Sequence, residues 1–227
     1  MVAPLSIIVP TNDSARDLPD TVTSLFEGLQ DGLIKELIIC DSTDDKSVET
    51  IADKLGAIFI KSAKGRGTQL REGAKYSSGE WMLFLHADTH LGEGWNRIVS
   101  DFIDSHPDRV GYFRLKFRRR GFFPHMVAGW ANLRSTLFDL PYGDQGLLIS
   151  RTLYDQIGGF QAIPLMEDVD FCRKLKGKLM MLDGLASTSA RRQVKNGWIR
   201  SGLGNLWILT RYFLGSSPED LFNKYYK

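Results

Sequence analysis

The chain has 227 residues, with 29 Lys and Arg against 27 Asp and Glu, a formal net charge of +2, and 43% hydrophobic and 25% charged residues. That length suits one domain with a full core, and the composition excludes a disordered or fibrous chain. So small a net charge gives no electrostatic ground for nucleic-acid binding. Cys40 and Cys172 stand far apart in apolar or helical contexts, which reads as buried thiols in a reducing compartment. No basic region followed by a long apolar stretch opens the chain, Pro4 and Pro10 interrupt it, and no apolar run is long enough to span a bilayer. A cytoplasmic protein, soluble or peripheral at the inner face of the membrane, is expected.

Leu5–Val9 is a β-branched run stopped by Pro10, the pattern of a buried strand. Thr11 to Asp17 is polar, and Leu18, Val22, Leu25, Phe26 and Leu29 follow at helical spacing. Glu36–Cys40 is the next strand, with Asp41-Ser-Thr-Asp-Asp45 as its polar exit. Val48, Ile51, Ala52 and Leu55 mark a helix face, Ala57–Ile60 a third strand, and Lys64-Gly-Arg-Gly67 a basic loop. Leu70, Ala74 and Tyr76 belong to a helix that ends near Gly79. Trp81–Leu85 is wholly apolar and stops at His86, Asp88 and His90, as a strand buried on both faces does where it leaves the sheet. Strand and helix alternate four times, which predicts a mainly parallel, doubly wound α/β sheet.

The second half reads differently. Tyr112–Arg118 alternates Arg114, Lys116 and Arg118 with Phe113, Leu115 and Phe117, a half-exposed strand. Residues 125–138 carry Met126, Trp130, Leu133 and Leu137 at helical spacing. Gly146–Ile149 is strand-like, and Ser150 can cap a helix that Gly158-Gly159 ends. Glu167-Asp168 opens a helix with Phe171, Cys172 and Leu175 inward, and Lys178–Leu182 is a last strand. The tail mixes Trp198, Leu203, Leu206, Trp207, Phe213 and Leu214 with Arg200 and Arg211. With no repeat and no linker, residues 1–227 form one domain, divided into 1–110, 111–195 and an amphipathic helical tail, 196–227.

Three strand exits carry polar groups: Thr11–Asp13, Asp41–Asp45 and His86–Asp88. In a parallel sheet they share one edge, where open α/β sheets bind ligands. A carboxylate such as Asp88 can hold a divalent cation, and the cation a diphosphate. Gly65-Arg66-Gly67 can bring N–H groups and a guanidinium against phosphate, or be a solvated turn. Neither a P-loop ending nor a dinucleotide fingerprint is present. The acids at Glu167-Asp168 serve either a helix dipole or as a general base. Asp144-Gln145, between Gly143 and Gly146, is a turn or a polar contact for an acceptor. The tail and Arg118-Arg-Arg-Gly-Phe-Phe-Pro124 either pack on the domain or meet a membrane surface.

Taken in order, strand-Pro-Thr, strand-Asp-Ser-Thr-Asp, Gly-Arg-Gly, Phe-Leu-His-Ala-Asp-Thr, Gly-Asp-Gln-Gly, Gly-Gly-Phe and Met-Glu-Asp-Val-Asp resemble a bacterial family 2 glycosyltransferase of the GT-A fold. The closest likeness is to the subgroup with His-Ala-Asp-Thr and Gly-Asp-Gln, and it covers nearly the whole chain. It implies a mainly parallel Rossmann-like sheet flanked by helices, with a smaller mixed acceptor-side region. It also implies a UDP- or GDP-sugar donor, a Mn²⁺ or Mg²⁺ ion and inversion at the anomeric carbon. Residues 1–110 then bind the donor and 111–195 hold the acceptor and the catalytic groups. Pro10, Thr11, Asp13 and Asp41 fall in the family's nucleotide-contacting turns, and Arg66 and Gln69 in its donor-facing loop. Asp88 matches the last acid of the Asp-x-Asp motif and Asp168 the catalytic base, with Asp144, Gln145 and Glu167 on the acceptor side. His86 replaces the motif's first acid and becomes a candidate second metal ligand. Asp13-Ser14 stands where Asn-Glu is common, and Asp41–Lys46 departs from the usual glycine-rich turn. Two alternatives remain: a nucleotidyltransferase of related fold, whose glycine-rich signature near the first strand is missing, and a non-catalytic nucleotide-sugar binder.

Overall fold

The computed structural model describes residues 3–225; Met1, Val2 and the last two residues of the expected tail, Tyr226 and Lys227, lie outside the described residues. The first half contains β1 (Leu5–Thr11), α1 (Leu18–Thr23), α2 (Phe26–Gln30), β2 (Ile34–Asp41), α3 (Ser47–Leu55), β3 (Ile58–Lys61), α4 (Arg66–Tyr76), β4 (Trp81–Phe84), β5 (Thr89–Leu91) and α5 (Trp95–Ser105). The second half contains β6 (Val110–Phe117), α6 (Phe122–Phe138), a 3-10 turn at Gly143–Gln145, β7 (Leu147–Ser150), α7 (Arg151–Gln156), α8 (Glu167–Lys174), β8 (Leu179–Thr188), α9 (Arg191–Asn196), α10 (Trp198–Phe213) and α11 (Pro218–Tyr225).

Among the described residues the strands form one sheet in the order β3-β2-β1-β4-β7-β6-β8-β5. The pairs β3/β2, β2/β1 and β1/β4 are parallel, as alternating strands and helices require. β7 then runs antiparallel to both β4 and β6, and β8 runs parallel to β6. The wholly apolar runs follow from burial on both faces. Ile8, Ile38 and Phe84 enter one core, and Ile7, Val9, Ile39, Leu83 and Leu85 enter the other. Burying one such side chain contributes about 1.5–3 kcal/mol, so β1 and β4 are the most firmly seated strands.

One aromatic cluster ties the sheet to the second half. Phe84 on β4 lies edge-on to Phe160 at 4.9 Å, and Phe160 stacks on Phe171 of α8 at 4.0 Å. Tyr154 of α7 closes the group, 5.6 Å from Phe84. The strand that leads to Asp88 and the helix that carries Asp168 are therefore fastened to the same rings.

Several expectations change. The helix expected over Leu18 to Leu29 is two short ones, and Phe26 and Leu29 are exposed. The face that packs is that of Leu25 and Gly28, because a Cβ on Gly28 would stand 2.5 Å from the Trp95 ring. α5 was not foreseen, although Trp95, Val99 and Phe102 bury one helical stripe. Arg66 and Gly67 begin a helix rather than lie in a loop, and β8 runs on to Thr188. Ser150 does cap α7, accepting from the Leu153 N–H. In α6 the inward face is Ala128, Ala131, Arg134 and Ser135, which leaves Met126, Trp130, Leu133 and Leu137 outward. α10 buries Ile208 alone among its own residues. Cys40 and Cys172 are free and buried, and burial pushes the Cys40 thiol up to about 12.

Candidate active site

Beyond the carboxyl end of β4, a cavity of about 320 Å³ is lined by Arg66, His86, Asp88, Asp144, Glu167 and Asp168, among others. Asp88 arrives on the segment between β4 and β5, where its carbonyl accepts from the Ser189 N–H at 3.2 Å. Asp144 comes on the 3-10 turn, and Glu167 and Asp168 on the first turn of α8. Met166, just before them, holds a left-handed φ of 66°, a conformation costly for a side chain with a Cβ and frequent at functional sites. The Asp168 carboxylate is aimed by two N–H groups. Oδ1 accepts from Val169 at 2.8 Å and Oδ2 from Gly143 at 3.3 Å.

Two glycines permit this assembly by close approach. A Cβ on Gly67 would meet the Gln161 carbonyl at 2.3 Å, so only glycine lets the start of α4 press against the segment before α8. A Cβ on Gly143 would stand 2.6 Å from His86 Nε2. The 3-10 turn thus lies directly over the imidazole.

Burial and like charge govern the carboxylates. Burial pushes Asp144 up to about 6, opposed by Arg134 and reinforced by Asp168 and Asp88. Burial and then Asp168 push Glu167 up to about 7, although Arg66 Nε stands 3.8 Å from its Oε1. Burial raises Asp88 too, against the pull of Arg66. His86 is driven down by burial and by Arg66, so its ring is neutral. Five carboxyls, Asp17, Asp88, Asp144, Glu167 and Asp168, line the cavity with three arginines, Arg66, Arg191 and Arg192, a surplus of acids that a bound cation would relieve.

The expected Mn²⁺ or Mg²⁺ ion meets a partial donor set. Among the described residues no three His, Cys, Asp or Glu converge to hold a metal. An ion bound together with phosphates needs only one or two protein carboxylates. Asp88 fits that requirement. His86 Nε2 is buried and without a hydrogen-bond partner, but Gly143 stands over it. The residues present fit an ion shared with a diphosphate, not one held by protein alone.

The remaining expected site residues lie outside the lining of that cavity. Thr11 Oγ1 donates to Asp41 Oδ1 at 2.8 Å, and Asp41 Oδ2 accepts from the N–H and Oγ1 of Thr43. Asp41 is wholly buried, so its carboxylate braces the second turn. Gln69 Nε2 donates to the carbonyls of Thr11 and Cys40, at 2.6 and 2.7 Å, and ties β1 to β2 beneath the site. Pro10 is buried in β1, and Asp13 is exposed with φ 56°. Gln145 is wholly buried; it accepts from Ser135 Oγ and donates to the Phe113 carbonyl. It braces the turn that presents Asp144.

The family model described as glycosyl transferase family 2 matches residues 6–163. The chain belongs to glycosyl transferase family 2. No curated protein matches it. The fold of this family 2 chain recurs in solved structures. A mannosyltransferase from Pyrobaculum calidifontis, in complex with GDP-Man and Mn²⁺, superimposes with a TM-score of 0.64 at 14% identity, over 97% of this chain and 68% of that one. S. aureus TarS 1–349 with UDP-GlcNAc gives 0.62 at 17%, over 82% of this chain and 58% of that one. GalNAc-T7 with UDP, GalNAc and Mn²⁺ gives 0.63 at 14%, over 83% of this chain and 44% of that one. The chain therefore spans only about three-fifths of the TarS chain and less than half of the GalNAc-T7 chain. These likenesses establish the GT-A fold, with its parallel donor-side strands and mixed second half.

Sequence reading of this family 2 chain missed four contributors. Asp17 lines the cavity and is gripped by Arg191 through two contacts of 2.6 Å, which hold α9 over the opening. Tyr142 lines it as well, under the Arg134 guanidinium at 3.4 Å from the ring centroid. Asp17 and Arg191 are separated by most of the chain, and neither sits in a patterned motif. Thr21 of α1 donates to the Ala87 carbonyl, and β5 pairs with the end of β8, which brings their segments together.

Proposed function

We propose that the protein is an inverting glycosyltransferase that moves a sugar from a nucleoside diphosphate sugar to an acceptor hydroxyl. The observation that carries this reading is the convergence of Asp88, Arg66 and Asp168 on one cavity. The nucleotide sugars and Mn²⁺ named with the structural neighbours support the donor class and a cation. Asp88 would hold a Mn²⁺ or Mg²⁺ ion, which when bound neutralises charge on the diphosphate. Arg66, at the start of α4, adds a guanidinium and the positive end of the helix for the leaving group. Asp168 takes the proton of the attacking hydroxyl, its two oxygens aimed by the N–H groups of Val169 and Gly143. The buried Glu167 keeps the start of α8 against Arg66. We place the activity at the cytoplasmic face of a membrane.

Calorimetry with UDP-GlcNAc and GDP-mannose, each with and without Mn²⁺, tests the proposal. One of them should bind more tightly with the ion, and Asp88→Ala should abolish that gain. An Asp88→Ala protein with an unchanged Mn²⁺ response removes the metal assignment.

A further inference from the structure

A second cavity, of about 520 Å³, lies between α6 and α10 and is mainly apolar. Leu115, Phe117 and Ala131 line one side, and Leu206, Leu209 and Phe213 the other. It is continuous with the candidate active site, because Tyr142, Asp144, Gln193 and Asn205 line both. A groove that leaves a reaction cavity and is walled by aliphatic and aromatic groups is built for the apolar part of a substrate.

Two buried polar atoms wait near the junction. Arg134 is nearly buried; its Nε donates to the Leu140 carbonyl, and its Nη2 has no hydrogen-bond partner. Asp144 Oδ1 is likewise buried and unpartnered. An unpaired buried donor and an unpaired buried acceptor are each costly, and both line the groove. A hydroxyl satisfies both kinds, since it accepts from a guanidinium and donates to a carboxylate.

The rims explain where such a substrate would come from. Trp130, Leu133 and Leu137 on α6, and Leu203, Leu206 and Trp207 on α10, are exposed. Residues 110–138 and 184–218 together carry eleven Lys and Arg and no Asp or Glu, in a chain whose net charge is +2. Apolar rims on segments whose exposed charges are all basic match an anionic bilayer. Among the described residues no helix is long and apolar enough to cross a membrane, so the contact is with the surface.

We propose that the acceptor is a membrane lipid whose apolar chain lies in the groove between α6 and α10 and whose hydroxylated head enters the cavity of Asp88 and Asp168. This rests on reading that cavity as the transfer site. The head's oxygen bonds to the anomeric carbon and the carbon–oxygen bond to the diphosphate breaks. Its electron pair leaves with the nucleoside diphosphate, and the hydroxyl proton passes to Asp168.

Methyl, hexyl, octyl and decyl glucoside, all below micelle-forming concentrations, are the probes, with binding followed by tryptophan fluorescence. Methyl glucoside should bind weakest, and affinity should rise about fourfold per added methylene. Gly202 lines the groove, and a Cβ there meets nothing within 4 Å, so the side chain of Gly202→Phe starts in open space at the groove wall. That variant should flatten the series while keeping the parent's circular dichroism. The parent should also sediment with phosphatidylglycerol vesicles and not with phosphatidylcholine ones. A flat series in the parent, or an equal slope in Gly202→Phe, overturns the proposal. So does a dimer in sedimentation velocity that Gly202→Phe disperses, which would give the groove to a second copy. Failure to bind either nucleotide sugar while the chain-length slope holds would instead refute the reading of the cavity and leave the amphiphile groove standing.

Discussion

Adding one methyl group at Gly143 tests how the site is assembled. The new Cβ would fall 2.6 Å from His86 Nε2 and 3.4 Å from two ring carbons, about 0.8 Å short of ordinary contact at the nitrogen. Nε2 is buried, so the ring cannot simply swing into solvent. Either the imidazole or the 3-10 turn must move. Overpacking of this kind costs about 1–3 kcal/mol, which for a chain of this size lowers the melting temperature by about 2–12 °C. The turn also supplies the N–H to Asp168 Oδ2, so movement there misaims the carboxylate. Thermal melts of Gly143→Ala should therefore fall within that range, and slow hydrolysis of the bound nucleotide sugar should fall as well. In a His86→Ala background the same change should cost much less, because contacting residues are not additive. A Gly143→Ala protein that melts and hydrolyses donor like its parent would show that the turn does not rest on the ring, and the argument for Asp168's aim would fail with it.

Asp168→Asn should fold and bind donor yet lose about 10²–10⁴ in transfer rate; single-turnover kinetics giving the parent rate would take the base role away. Glu167 has its proton affinity raised by burial and by Asp168, to about 7 from 4.5. Between those values the unfolded chain has released a proton that the folded one keeps, so stability falls as pH rises across that window, by at most about 3 kcal/mol. Glu167→Gln should therefore melt like the parent near pH 4.5 and above it near pH 8; parallel curves across the range would contradict this. Phe171→Ala removes a fully buried ring stacked on Phe160 and should cost about 3–5 kcal/mol. Because that cluster anchors α8, turnover should drop even at temperatures where urea titration shows the variant folded.

Local chemistry alone determined much of the molecule. A strand buried on both faces has to be apolar throughout and end in polar groups. Trp81–Leu85 followed by His86 and Asp88 therefore announced both a central strand and a ligand edge. Order and spacing of short motifs pointed to the family, because each motif marks a turn whose backbone needs particular residues. The tertiary structure alone decided which polar residues face the cavity. Asp41, Gln69 and Gln145 look like ligand contacts along the chain, and in the fold each also braces strand ends and turns. Asp17 and Arg134 carry no pattern and still line the cavities. The same holds for α6, where helical spacing marks Trp130 and Leu137 as apolar but cannot say that small residues occupy the packed face. Periodicity reports which side chains share a face. What that face meets depends on segments far away in the chain, and long-range packing is not written in any local window.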